Sequence, residues 1–149
     1  MQTRPTDIRR GFTLVEILIV VIILGILAAI VIPQFSNAAQ DARKSSLSSQ
    51  LQTLRSQIQI YRLHHGDVLP DIITDWTPLT SQTTYAGNSF GPYMHSSPTN
   101  ALNTRGNVVN GDGSAASGTA CGFIYDYDGG SGSGRIYGTD TDSKSVYPQ

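Results

Sequence analysis

The only glutamate of this chain, Glu16, lies inside its most apolar stretch. From Leu14 to Ile32 the sequence reads LVEILIVVIILGILAAIVI, with no other charge and no side-chain hydrogen-bonding group. A carboxylate in a segment long enough to cross a bilayer is costly unless something at the same depth compensates for it, so Glu16 needs a partner. A helix from Phe12 to Ile32, rising about 1.5 Å per residue, extends roughly 30 Å, the hydrocarbon thickness of a membrane. Residues 1–11, MQTRPTDIRRG, set Arg4, Arg9 and Arg10 against Asp7. A basic segment directly before an apolar run holds that end in the cytoplasm and sends the other end across. A secretory signal would have a shorter apolar core followed by a small-residue cleavage site. Ala28-Ala29 imitates such a site, but apolar sequence continues through Ile32. The expectation is a single-pass spanning helix, N-terminus in.

Pro33 removes a backbone donor and crowds the preceding turn, which predicts a kink or a locally unwound stretch between Gly25 and Pro33. Beyond it Leu47, Leu51, Leu54, Ile58 and Tyr61 recur at spacings of 4, 3, 4 and 3, one apolar stripe on a helix whose other positions are Ser, Gln, Arg and Lys. Five positions do not establish a coiled coil, and the stripe is expected to dock on the chain's own distal half. Ala38, Ala39 and Ala42 suit close subunit packing. Gly66 at the C′ position and Leu69-Pro70 beyond it end the helix. His64 and His65, neighbours in the last turn, point in different directions and make a poor metal pair. Helix-end and surface roles are expected of them. A continuous helix over 12–65 would be roughly 80 Å long, more than so small a domain can bury.

The overall formal charge of -1 averages over unlike segments. Residues 33–65 carry Arg43, Lys44, Arg55 and Arg62 against Asp41, a net +3. Residues 66–149 carry eight aspartates against Arg105, Arg135 and Lys144, a net −5. An acidic distal half offers no basic footprint for nucleic acid. It is rich in Gly, Ser, Thr, Asn and Asp. DWTPLT, residues 75–80, reads as one short turn capped by Asp75, with Trp76 a core anchor. Residues 122–127 (GFIYDY) and 135–139 (RIYGT) read as strands, and DGGSGSG between them makes an antiparallel hairpin. A weaker extended piece covers 107–110. The fold class is therefore α+β: a long N-terminal helix, membrane-spanning in its first half and amphipathic in its second, packed on a small antiparallel β-sheet head with long loops.

Cys121 is alone and forms no internal disulfide. A small buried hydrophobe is the favoured reading over a reactive thiol. Residues 129–134 lack both the Gly-x-Ser-x-Gly register and a following Lys-Ser/Thr, and there is no Cys-x-x-Cys or His-Glu-x-x-His. The chain reads as a substrate of enzymes rather than an enzyme.

Arg9-Arg10-Gly11-Phe12-Thr13-Leu14-Val15-Glu16 followed by an apolar run resembles the class III signal of type IV pilins and type II secretion pseudopilins. The likeness is most specific over residues 9–35 and includes Gly25 and Pro33. The resemblance implies cleavage after Gly11 by a prepilin peptidase and N-methylation of the new Phe12 amine. It also implies the partner of Glu16: the N-terminal ammonium of a neighbouring subunit, fixing axial register. Four residues place Glu16 about 6 Å along the helix from Phe12. A carboxylate that simply sits at the headgroup boundary or favours the helix N-terminus is the plainer alternative.

The distal half resembles the major, G-type pseudopilin less specifically, through Tyr61 with His65-Gly66 and Leu69-Pro70, and through Gly91-Pro92-Tyr93-Met94 with Pro98. It departs from that pattern at Thr99-Asn100-Ala101-Leu102-Asn103, in the insert around 110–118, and in lacking the cysteine pair of many pilins. G-type pseudopilins bind calcium in a distal loop, which makes Asp126, Asp128, Asp140 and Asp142 the candidate ligands. Aspartates alternating along a strand also simply share a solvent face.

These readings divide the chain into a leader (1–11), a transmembrane and filament-core helix (12–33), an amphipathic helix (34–65) and a globular head (66–149). The function implied is that of an inner-membrane pseudopilus subunit. It would polymerise with itself, first lying in membrane lipid, and would meet prepilin peptidase, an assembly platform and minor pseudopilins, with its head outside the cytoplasm. Competing readings are a surface pilin, for adhesion or motility, a monomeric membrane-anchored binding domain, and a secreted enzyme.

Overall fold

The computed structural model describes residues 11–114 and 118–147. The leader reading, but for Gly11, lies outside them. The chain divides into two compact units, one up to Ala39 and one from Gln40 onward.

The first unit is the N-terminal part of α1, the helix Leu14–His64. Every described residue up to Ala39 is exposed, including Phe12, Leu14 and Phe35. By length and composition α1 is the one helix among the described residues able to cross a membrane. The unwound stretch expected between Gly25 and Pro33 is not formed, since the helix is uninterrupted through both. Pro33 has no N–H to offer the Ala29 carbonyl, but one missing bond leaves the flanking turns intact, and Leu and Ala around it favour helix.

In the second unit the stripe behaves as its spacing requires. Leu47, Leu51, Leu54 and Ile58 are buried to within 1% of completely, and Tyr61 packs half-buried against them. The helix closes with the Asp67 N–H donating to the Arg62 carbonyl at 2.8 Å across Gly66, whose φ is +62°. The left-handed glycine is the C′ residue anticipated here, and the six-to-one bond across it makes the ending a Schellman motif.

Asp75 accepts the Thr77 N–H at 2.7 Å and leads into α2, Thr77–Thr80. Trp76 is buried, donates its indole N–H to the Gly106 carbonyl at 2.7 Å and meets Phe123 edge-on. A hairpin follows that the strand reading missed: β1 (Thr83–Tyr85) pairs antiparallel with β2 (Asn88–Phe90). Its two linking residues, Ala86 and Gly87, have φ of 49° and 81°, as a primed two-residue turn demands.

The main sheet has the order β3 (Val108–Asn110), β4 (Phe123–Tyr125), β5 (Ile136–Gly138). β4 and β5 form the anticipated antiparallel pair. β3, however, runs parallel to β4, so the sheet is mixed and not antiparallel throughout. The physical reason is the connection over 111–122, which is the dozen residues a parallel crossover needs. The α+β class stands. α1 approaches β5 so closely that a Cβ on Gly138 would lie 2.9 Å from Leu47. The free edge of β5 is covered, since the Ile136 carbonyl accepts from the Arg55 guanidinium at 2.9 Å and the Gly138 carbonyl from the Tyr147 N–H at 2.8 Å. Covering an edge this way blocks further strand pairing.

Candidate assembly site

Thr13 and Glu16 cap α1 reciprocally. The Glu16 N–H donates to Thr13 Oγ1 at 3.2 Å, and the Glu16 carboxylate accepts the Thr13 N–H at 3.5 Å. Thr13 is therefore the N-cap and Glu16 the third helical residue, a capping box. The signal was in the sequence as Thr-x-x-Glu, and reading Glu16 only as a charge missed it. One long hydrogen bond leaves most of the carboxylate's acceptor sites open. Phe12, directly before the cap, is 78% exposed. A preordered carboxylate thus stands at the head of an apolar helix whose described residues up to Ala39 are all exposed, and such a group suits a cation from outside the chain.

The four aspartates suggested for calcium are not brought together. Among the described residues no three His, Cys, Asp or Glu side chains form a group able to hold a metal ion. Each carboxylate closes its own loop. Asp126 accepts the Ser133 N–H and hydroxyl, and Asp128 accepts from Ser131. Asp140 accepts the Thr141 N–H, while Asp142 accepts the Lys144 and Ser145 N–H groups and the Ser145 hydroxyl. Ser145 and Lys144 hold the Asp142 carboxyl below its ordinary value. Neighbouring Ser, Thr and Lys donors thus order each of these loops around its own carboxylate.

The two histidines differ. His64 places Nδ1 3.1 Å from the Tyr93 hydroxyl and stacks on Phe90. His65 is buried, corrects the surface reading, and stacks on Tyr61 at 3.9 Å between ring centroids. Its Nδ1 donates to the Tyr61 carbonyl at 2.9 Å, because a carbonyl only accepts. Tyr93, from the GPYM segment, completes this cluster at the helix exit. Cys121 is buried, as a small hydrophobe would be.

The segment that departs from the G-type pattern carries a buried polar knot. Asn100 donates to the Gly122 and Thr139 carbonyls at 2.7 and 2.8 Å and accepts the Leu102 N–H at 2.8 Å. Asn103 donates to the Thr139 hydroxyl at 2.8 Å. The connection preceding β3 is thereby tied to β5.

Comparison with known proteins locates the likeness. A family model described as the prokaryotic N-terminal methylation motif matches residues 8–32, which include Gly11, Phe12, Thr13 and Glu16. The chain is 39% identical over 64 residues to the type II secretion system core protein G of Escherichia coli (strain K12), covering 42% of this chain and 44% of that protein. It is 42% identical over 58 residues to the core protein G of Dickeya chrysanthemi, covering 39% and 38% respectively. To the type IV major fimbrial protein FimA of Dichelobacter nodosus it is 40% identical over 71 residues, 48% of this chain and 45% of that one. The chain thus spans less than half the length of the curated relatives it matches. No solved structure matches it.

Proposed function

We propose that this chain is a structural subunit, not an enzyme, of a type II secretion pseudopilus. In this reading a prepilin peptidase cleaves after Gly11 and the Phe12 amine is methylated. The apolar helix holds the subunit in the inner membrane, N-terminus in, until an assembly platform moves it into a filament that also contains minor pseudopilins. Hydrophobic helices then fill the filament interior and acidic heads its outside. Gly25 and Pro33 are the weakest points of the helix and the places where it would yield on packing.

The observation that carries this reading is the fully exposed apolar helix headed by an ordered carboxylate within the methylation motif. In lipid, Glu16 sits near enough to the interface for water to soften its cost. On leaving lipid for a filament it gains no water, and the amine of a neighbour's Phe12 is a cation at the required depth. Methylation keeps that charge.

Mass spectrometry of the native N-terminus tests the first step. A methylated Phe12 is expected, and an intact leader or removal after Ala29 would contradict the reading. Replacement of Glu16 tests the second: normal membrane insertion with failed polymerisation is expected. The similarity to FimA over 71 residues supports a second reading, a surface fibre for adhesion or motility. Deletion of the gene in its host separates the two, since loss of exported proteins follows from the first and loss of surface fibres from the second.

A further inference from the structure

Large apolar side chains stay exposed in two places. One is α1 up to Phe35. Beyond Phe35 only four remain exposed among the described residues, Ile60, Leu63, Val68 and Tyr85, and they gather at the end of α1. Ile60 and Leu63, three residues apart, share the side of the helix turned away from the buried stripe. Val68 follows the helix ending directly, its N–H donating to the His65 carbonyl at 3.3 Å. Tyr85, from β1, sets its hydroxyl where a Cβ on Gly66 would stand. Phe90, on the paired strand, stacks on His64 at 4.7 Å between ring centroids and so holds the hairpin against the helix end.

The charges that neighbour Leu63 and Val68 in sequence, Arg62 and Asp67, pair with one another at 2.5 Å. An apolar surface laid over the patch therefore buries no lone charge. Exposed apolar side chains scattered singly are ordinary, but four at one place mark a surface made to be covered.

We propose that this patch receives the apolar segment of α1, residues 14–35, from a second copy of this chain. The proposal rests on the filament reading above and names a surface of the head that the filament uses. Among the described residues that segment is the other exposed apolar surface, and it needs cover once it leaves lipid. The head offers no second apolar surface among those residues, so a head-to-head contact here would set patch on patch, an isologous contact that closes at a dimer. Patch on helix joins unlike surfaces, leaves a free one at each end of the stack, and so propagates.

Photochemical cross-linking identifies the occupant. Leu63 is replaced by p-benzoylphenylalanine in the full chain, and filaments assembled in the native host are irradiated. A product of dimer mass that joins position 63 to residues 14–35 is expected. Attachment to lipid, to another protein or to the head of a second copy overturns the proposal, as does the absence of any cross-link in assembled filaments.

Filament yield is compared for wild type, Leu63→Met, Leu63→Glu and Glu16→Ala, with thermal unfolding of each detergent-solubilised subunit in parallel. Leu63 is 80% exposed in the single chain, so Leu63→Glu is expected to insert normally and unfold at the wild-type temperature. It is expected to lower filament yield about tenfold or more, because it sets a charge against an apolar helix, while Leu63→Met keeps the yield. Wild-type yield from Leu63→Glu overturns the proposal. A lower unfolding temperature that tracks the loss of yield also overturns it, in favour of a leucine that serves only its own head. Failure of the underlying filament reading has a different signature: no wild-type polymer, and no effect of Glu16→Ala.

Discussion

Thr13 and Glu16 exchange hydrogen bonds at the start of α1, hydroxyl to N–H at 3.2 Å in one direction and carboxylate to N–H at 3.5 Å in the other. The capping role needs only an acceptor at residue 16, whereas a filament contact with a neighbour's amine needs a negative charge. Glu16→Gln separates them, since glutamine completes a capping box. Glu16→Gln is expected to keep helix content by circular dichroism in detergent and to block polymerisation as fully as Glu16→Ala. Thr13→Ala is expected to cost about 1 kcal/mol of helix stability while leaving polymers in place. Polymers of normal yield from Glu16→Gln would reduce Glu16 to a cap.

Asn100 is fully buried and its amide serves three backbone groups from three parts of the chain. Asn100→Leu removes those bonds and leaves the Leu102 N–H, among others, buried without a partner. A loss of about 3 kcal/mol or more is expected in urea unfolding of the detergent-solubilised chain, since each orphaned group costs about 1–3 kcal/mol.

Tyr125 is buried, and its hydroxyl has no hydrogen-bond partner among the described residues. Burial, then the neighbouring Tyr127, pushes its phenol well above the ordinary value. A folded-state pKa above the unfolded one gives stability that is fully present below the unfolded value of 10.0 and is lost as pH rises through the folded one. Alkaline unfolding is therefore expected to begin above pH 10. Tyr125→Phe is expected to delay it and, at neutral pH, to match or exceed wild-type stability by up to about 1 kcal/mol, because no hydrogen bond is lost. Thermal unfolding at a series of pH values checks both.

The head's aspartates predict acid sensitivity without calcium sensitivity. Thr77, Ser114 and Ser145 hold the carboxyls of Asp75, Asp112 and Asp142 below the ordinary value of 3.8. Depressed folded-state values give stability that is present above 3.8 and lost as pH falls through them. Asp142→Asn is expected to reduce that loss. Calcium added to a chelator-treated subunit is expected to leave the unfolding temperature unchanged, because a ligand stabilises only by binding the folded state. A calcium-dependent rise would mean that these loops rearrange around the ion.

The local features were legible because their signals are local. Leu47, Leu51, Leu54 and Ile58 announced a buried face by spacing alone, Gly66 and Leu69-Pro70 announced the helix exit, and residues 122–127 and 135–139 announced a hairpin. The candidate site was legible in its residues, Gly11, Phe12 and Glu16, though the reciprocal bond with Thr13 was overlooked. The Ala86-Gly87 turn was missed because Thr83–Tyr85 and Asn88–Phe90 bury little and show almost no alternation. The local partners of the four aspartates were not legible at all: spacing counts carboxylates, but not the Ser and backbone donors that engage them.

Sequence by itself determined the apolar helix with its single carboxylate, the stripe that follows, and the charge difference between the halves, since these depend on residue order along one helix. Only the tertiary structure decided that β3 runs parallel to β4, that His65 is buried, that Asn100 ties the connection before β3 to β5, and that Arg55 reaches the strand bearing Arg135. Those outcomes join residues far apart in the chain, where packing and the satisfaction of buried polar groups select the partner and no local pattern encodes it.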